Sequence, residues 1–316
     1  MSPVIGGIGD LTVDILLPGL SRFPEWGQEV EIEEPRSRLG GNIGNMATGA
    51  SALNNDFLIY SMIGQDEEGA FILDSLGKLG LKTSCVRQTG KKRTSRTYAG
   101  IREDGERFML TYKGTLELME ELMAEAAGPA DVLFLSGWCL PPRVHQKTVL
   151  DKISNWHMEN RVIAADLLWS DETWEHRQEL LDVLKKTDIV FLNETELLTL
   201  TEEADFEHAV EKLKLLIGLT PRTQNRFCAI KLGKKGAMLL DGSRCLRVSA
   251  YPSKPVDTVG AGDLFNIGFL HALYKLGLKP PEALCFASTF ASVYISRYYA
   301  LPPTEAEIMQ LIGTKG

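Results

Sequence analysis

The segment Asp257-Thr258-Val259-Gly260-Ala261-Gly262-Asp263 decides how the rest of the chain is read. Three small residues precede an aspartate, and an apolar helical pattern follows at once: Leu264, Phe265, Gly268, Phe269, Ala272, Leu273 and Leu276. Small side chains let backbone amides come close to an oxygen-rich ligand. The start of the helix aims unpaired N–H groups and the positive end of its dipole at that ligand, an arrangement that suits a phosphate. A carboxylate beside a phosphate is unfavourable unless it performs a task, and accepting a proton from an attacking hydroxyl is such a task. Taken alone, a Gly-x-Gly-Asp more often marks a plain N-terminal helix acid favoured by the dipole.

Working outward, a second glycine-rich stretch, Gly40-Gly41-Asn42-Ile43-Gly44-Asn45-Met46-Ala47, also leads into a helical pattern. Asn42 and Asn45 each donate and accept hydrogen bonds, and with Asp14 they suit a ligand rich in hydroxyls. The remaining chain alternates short apolar runs with helical patterns. Residues 4–8, 57–63, 132–135, 162–165, 189–192 and 229–232 read as buried strands, and 45–53, 70–79, 142–159, 175–185, 207–217 and 263–276 as helices. This rhythm predicts an α/β fold: a mostly parallel sheet with helices on both faces. Thr304 and Glu307 form a capping box that opens the last helix.

Two segments, 14–36 and 93–112, break the rhythm and read as turn-rich β structure. In the second, residues 97–102 and 107–111 flank Glu103-Asp104-Gly105-Glu106, a hairpin signal. The pieces pair into a small extra sheet that serves as a lid, or they are two surface hairpins. On the lid reading, residues 1–13, 37–92 and 113–316 form the main α/β body. In a parallel sheet, ligands bind beyond the carboxyl ends of the strands. The proposed strands end in Gly9-Asp10, Ser136-Gly137, Asp166, Asn193-Glu194-Thr195-Glu196 and Gly233-Lys234-Lys235-Gly236, so these groups gather on one edge.

Composition excludes several classes. Lys and Arg number 34 against 42 Asp and Glu in 316 residues, a formal charge of −8, which argues against nucleic acid as the main partner. The five cysteines, Cys85, Cys139, Cys228, Cys245 and Cys285, are scattered without a Cys-x-x-Cys and read as buried thiols in a reducing compartment. No secretory signal and no apolar run long enough for a membrane span is visible, so a cytoplasmic protein is expected. Gly7-x-Gly9 lacks the rest of a dinucleotide fingerprint. Gly77-x-x-Gly80-x-Lys82-Thr83 misses the Walker pattern, because Lys82 does not directly follow Gly80.

With these residues in view, the chain resembles the ribokinase-like (PfkB) family of carbohydrate and nucleoside kinases over essentially its whole length. The resemblance rests on Gly40-Gly41-Asn42-Ile43-Gly44-Asn45, on Asn193-Glu194-Thr195-Glu196 as the family's Asn-x-x-Glu, and on the Asp257–Asp263 segment, in that order. It implies a three-layer α/β/α fold with a small β lid, and transfer of the γ-phosphoryl group of ATP to a hydroxyl. Asp263 is similar to the catalytic base, and Gly260, Ala261 and Gly262 to the anion hole. Asp14, Gly41, Asn42 and Asn45 correspond to acceptor contacts. Asn193, Lys231, Gly233, Gly236 and Ser288 correspond to the nucleotide side, and Glu196 to the group that organises Mg²⁺. Lys231 stands where many relatives carry Thr, and the role of Asp166 stays open.

Asn193 is not preceded by the Lys-Pro of relatives acting on sugar phosphates, so the expected acceptor is an unphosphorylated sugar or related polyol. A nucleoside is the alternative, with Trp26, Tyr98, Phe108 or Trp138 to stack on its base. A catalytically silent sugar-binding relative ranks lower, because Gly-Ala-Gly-Asp is intact. A monovalent cation near Asp257 stays open, since the stretch 297–302 is shorter than the usual glycine-bearing loop. The resemblance also implies a homodimer formed through the lid.

Overall fold

The computed structural model describes residues 2–102, 107–221, 225–297 and 301–313. Its strands in chain order are β1 (Ile5–Ile8), β2 (Thr12–Leu20), β3 (Arg36–Gly40), β4 (Leu58–Gly64), β5 (Val86–Thr89), β6 (Arg96–Arg102), β7 (Arg107–Tyr112), β8 (Val132–Leu135), β9 (Val162–Asp166), β10 (Ile189–Asn193), β11 (Phe227–Lys231), β12 (Ala237–Leu240) and β13 (Cys245–Val248). The helices are α1 (Asn42–Ala52), α2 (Glu67–Lys78), α3 (Met119–Glu125), α4 (Gln146–Met158), α5 (Asp171–Trp174), α6 (Arg177–Leu184), α7 (Glu194–Thr201), α8 (Phe206–Leu216), α9 (Ala261–Tyr274), α10 (Pro280–Tyr294) and α11 (Glu305–Gly313).

Among the described residues nine strands make one sheet, ordered β13-β12-β11-β10-β9-β8-β1-β4-β5. From β11 to β5 every pairing is parallel, while β12 and β13 close one edge antiparallel. The apolar runs are unbroken because both faces are covered. In β8, Leu133 and Leu135 face a core shared with α3, α4, α6, α7 and α8, whereas Val132 and Phe134 face one shared with α1, α2, α9, α10 and α11. The order reverses at β1, the kind of switch point at which α/β sheets open a crevice for ligands.

The expected elements are present with shifted ends. The helix expected from residue 142 begins at Gln146, because the Val144 N–H first closes a loop onto the Trp138 carbonyl at 3.1 Å. The Thr304–Glu307 capping box forms: Glu307 accepts from the Thr304 N–H at 2.7 Å, and the Thr304 hydroxyl accepts from the Glu307 N–H at 3.3 Å. The cysteines correct the sequence reading. All five are free, but only Cys139 and Cys228 are buried, and Cys245 is exposed on edge strand β13, where alternate residues face solvent. No helix among the described residues is long and apolar enough to cross a membrane.

A smaller separate sheet, ordered β3-β2-β6-β7, is built from the two segments that broke the rhythm. β2 and β3 pair from Thr12 opposite Gly40 onward, so this sheet starts before residue 14 and ends after residue 36. β6 and β7 pair antiparallel, with Thr97 opposite Thr111; the predicted Asp104-Gly105 turn lies outside the described residues. Gly40 ends β3, and α1 starts two residues on, so the small sheet joins the main body at the diglycine stretch.

Two packing contacts fix α9, which carries Asp263. Phe265 and Phe269 meet Phe191 of β10 edge-on, with ring centroids 6.3 and 5.7 Å apart, and Phe191 meets Phe134 of β8 at 6.0 Å. On its other side α9 takes α1 at very close range. A Cβ on Gly49 would stand 2.4 Å from Leu264 Cδ1 and 2.9 Å from Ile267 Cγ2. Gly49→Val is therefore expected to destabilise the protein by about 2 kcal/mol through overpacking. Thermal unfolding should show a Tm several degrees lower, and catalytic turnover should fall with it, because the same contact sets the distance from α1 to Asp263.

Candidate active site

At the carboxyl edge of the large sheet lies a pocket of about 420 Å³. Of the residues singled out in the sequence, Asn42, Asn193, Glu196, Lys231, Gly233, Gly236, Gly260, Ala261, Gly262, Asp263 and Ser288 line it, and so does Asp166. Asp14, Gly41 and Asn45 are not in its wall but lie in the adjoining diglycine region. The two glycine-rich stretches, far apart in sequence, therefore face the same place.

Their meeting point is the Asp263 carboxylate. Asn42 Nδ2 donates to Oδ1 at 3.1 Å, and Asn45 Nδ2 donates to Oδ2 at 2.8 Å. Asp263 sits in the first turn of α9, whose N-cap is Gly260 at φ 76°. That left-handed conformation strains any side chain, and a Cβ there would also stand 3.1 Å from Asn45 Cγ. No side chain caps this helix start, and the Ala261 N–H closes a turn onto the Thr258 carbonyl at 3.3 Å. Burial raises the Asp263 pKa to about 8, opposed by the Asn45 hydrogen bond.

The diglycine segment is held from behind. Gly41, the N-cap of α1 at φ 81°, lies so close to Asp10 that a Cβ would stand 2.6 Å from the Asp10 carbonyl oxygen. Asp10 Oδ2 accepts from the Asn42 N–H at 3.0 Å, while its buried Oδ1 has no hydrogen-bond partner. Burial lifts the Asp10 pKa to about 6. Asp14 is buried against Gly40, accepts from the Thr12 hydroxyl at 3.1 Å, and pairs with Arg38 Nε at 3.5 Å. Thr12, Asp10 and Arg38 were not predicted as site residues. Asp10 stood at a strand end, but no local pattern marks a cation two residues before a diglycine.

On the far wall, the Asn193-x-x-Glu196 match is a capping box of α7. Glu196 Oε2 accepts from the Asn193 N–H at 2.7 Å, and Asn193 Oδ1 accepts from the Glu196 N–H at 2.9 Å. Burial raises the Glu196 pKa to about 7, with Lys231 opposing. Lys231 and Asp166, whose roles the sequence left open, are partners. Lys231 Nζ donates to both oxygens of Asp166, at 2.9 and 2.8 Å, and Asn266 Nδ2 donates to Asp166 Oδ2 at 2.7 Å. Burial works against this ammonium, but the charges of Asp166 and Glu196 outweigh it and keep the Lys231 pKa above the ordinary lysine value. A Cβ on Gly262 would stand 3.4 Å from Nζ, so the cation lies beside the glycine turn.

An ammonium has three donors, and Asp166 takes two. The arrangement is a positive group, a helix start with no side-chain cap and a buried carboxylate around one cavity, which suits moving a phosphoryl group onto a hydroxyl. Among the described residues no three His, Cys, Asp or Glu side chains cluster to hold a metal ion. Glu196 lines this pocket with one carboxylate oxygen held by the Asn193 N–H. Of the aromatic residues considered for stacking, Trp26 is fully exposed and Trp138 is buried.

Comparison with known proteins agrees with this geometry. The family described as pfkB family carbohydrate kinase matches residues 10–307. A 5-dehydro-2-deoxygluconokinase of Listeria monocytogenes is 24% identical over 87% of this chain and 86% of its own length. A ribokinase of Arabidopsis thaliana is 24% identical over 98% of this chain and 81% of its own. The solved structure of Arabidopsis thaliana ribokinase complexed with ribose and ATP superposes with a TM-score of 0.80, at 23% identity, covering 99% of both chains. A Methanocaldococcus jannaschii nucleoside kinase superposes at 0.78 with 16% identity, covering 99% of each. Sheet, pocket and sequence thus converge: the chain belongs to the pfkB family of carbohydrate kinases, phosphotransferases that act on hydroxyl groups.

Proposed function

We propose that the protein transfers the γ-phosphoryl group of ATP to a hydroxyl of an unphosphorylated sugar or related polyol, with Asp263 as general base. The observation that carries this reading is the Asp263 carboxylate, bracketed by Asn42 and Asn45 at the mouth of the Gly260–Gly262 turn. In the reading, the acceptor lies against Asp14, Gly41, Asn42 and Asn45, and Asp263 takes its proton. The amides of Gly260, Ala261 and Gly262 stabilise the charge on the transferring group. The third Lys231 N–H adds a donor there, with Asp166 and Asn266 as its anchor. Asn193, Gly233, Gly236 and Ser288 take the nucleotide. Glu196 would hold Mg²⁺ through water, and the ion would neutralise phosphate charge.

The small sheet acts as a lid that excludes water over the acceptor. A neutral acceptor is supported by Arg38, whose charge is already met by Asp14 and Asp257. Exposed Met109, Leu110 and Tyr112 on the outer strand β7 support a homodimer through this sheet. A cytoplasmic location fits a soluble kinase of small metabolites.

A substrate panel, two variants and the pH dependence of rate and melting test the reading. ADP release is scored against a panel of unphosphorylated sugars and nucleosides. Turnover with a sugar supports it, turnover with nucleosides alone replaces the acceptor class, and none with either leaves a silent binding relative. Asp263→Asn should lower kcat by about 10²–10⁴-fold, the usual range for a general base, with nucleotide binding by calorimetry largely intact. Wild-type kcat/KM should rise with pH through about 8, where this carboxyl ionises. The same shift has a sign in stability. The unfolded carboxyl ionises near 3.8 and the folded one only near 8, so the contribution of Asp263 to stability falls as pH rises between them. The Asp263→Asn protein should therefore melt above wild type at alkaline pH. Lys231→Met should cost about 10²-fold in kcat, the order seen for loss of one transition-state donor.

A further inference from the structure

Arg38 lies on β3 directly opposite Asp14 on β2. Its guanidinium leaves the small sheet and reaches the segment before α9. Nη1 donates to Asp257 Oδ2 at 3.2 Å, and Nε stands 3.5 Å from Asp14 Oδ2. The other Asp257 oxygen, Oδ1, accepts from the Val259 N–H at 2.9 Å and so shapes the turn that continues into Gly260. The Val256 N–H donates to the Ile295 carbonyl at 2.7 Å, which ties the same segment to the end of α10. One unbroken chain of polar contacts therefore runs from Asp14 through Arg38 and Asp257 to the backbone of the glycine turn.

We infer that Arg38 is a positioning residue that couples the placement of the small sheet to the shape of the Gly260–Gly262 turn. The inference deepens the kinase reading and rests on it for its catalytic meaning. The contact joins the small sheet to the segment before α9, and the two sheets share no strand pairing, so it exists only while the small sheet stands against the turn. The ion pair is partly buried, with side-chain exposures of 25% for Arg38 and Asp257 and 9% for Asp14. Its effect is local: a displacement near 1 Å of groups that orient the reaction costs about 10²-fold in rate. Arginine suits the place because its planar fork meets two carboxylates at once, whereas a lysine ammonium is a point charge. Water exclusion follows from the same bridge, since the acceptor-side acid and the phosphate-side turn are held by one side chain.

The test compares wild type, Arg38→Met, Arg38→Lys, Asp257→Asn and the Arg38→Met/Asp257→Asn double variant, each first checked for an intact thermal transition. Amide hydrogen exchange is followed in 12–20, 36–40 and 257–263 with Mg²⁺ and a nonhydrolysable ATP analogue. Where the sugar panel yields an acceptor, kcat, KM for ATP and the ratio of ADP formed to sugar phosphorylated are read as well. The inference expects faster exchange in both regions of Arg38→Met, no recovery in Arg38→Lys, and a double variant no worse than the more affected single. With an acceptor it expects kcat down about tenfold or more, KM for ATP little changed, and an ADP-to-product ratio above that of wild type.

Unchanged exchange in 257–263 overturns it. So does full recovery by Arg38→Lys, which would mean that charge alone matters, or losses that multiply in the double variant. If wild type phosphorylates nothing, the kinase reading fails while the exchange data still decide the role of Arg38.

Discussion

A buried carboxylate in the first turn of a glycine-rich helix start is the constraint around which this molecule is arranged. Taking Asp263 out of water is costly, and two asparagine amides from α1 meet its oxygens. Those amides arrive only because α1 packs on α9 at the depth that Gly49 allows, against Leu264 and Ile267. The position of α9 is set in turn by Phe265 and Phe269 on Phe191. Core packing and site geometry are thus one problem here: the residues that fill the interior also fix the distances at the pocket.

Parallel strands that end together concentrate whatever side chains end them. In this chain they bring Asp10, Asp166 and the capped Glu196 to the edge where Asp263 already stands. An anionic ligand would be repelled by such a wall. The compensation is local: Lys231 lies among the acids and is kept charged by them, and the uncapped start of α9 adds the positive end of its dipole. A formal charge of −8 over the whole chain is therefore compatible with a pocket suited to phosphate.

The small sheet enters the same electrostatic arrangement through Arg38, which answers an acid of its own sheet and one of the main body. The diglycine stretch is one covalent joint between the small sheet and the main body, and Arg38 is a noncovalent one. Between them lie buried Asp14 and half-buried Asp10, so the joint region is itself lined with groups suited to bind hydroxyls.

Much of the fold was legible in the primary structure because its signals are local. Apolar runs such as Val132-Leu133-Phe134-Leu135, the cap of Thr304 with Glu307, and the glycine-rich start of α9 each follow from neighbours within a few residues. The family signatures carry the pocket residues, and the ends of the parallel strands bring them to one edge. What the chain could not disclose by itself were pairings between distant residues: Lys231 with Asp166, Arg38 with Asp257, and the two asparagines with Asp263. Asn193-x-x-Glu196 also concealed a helix cap behind a functional match. Such contacts depend on how deeply one helix packs on another and on which way a side chain turns at a strand end. Those are properties of the close-packed interior, and no periodicity along the chain encodes them.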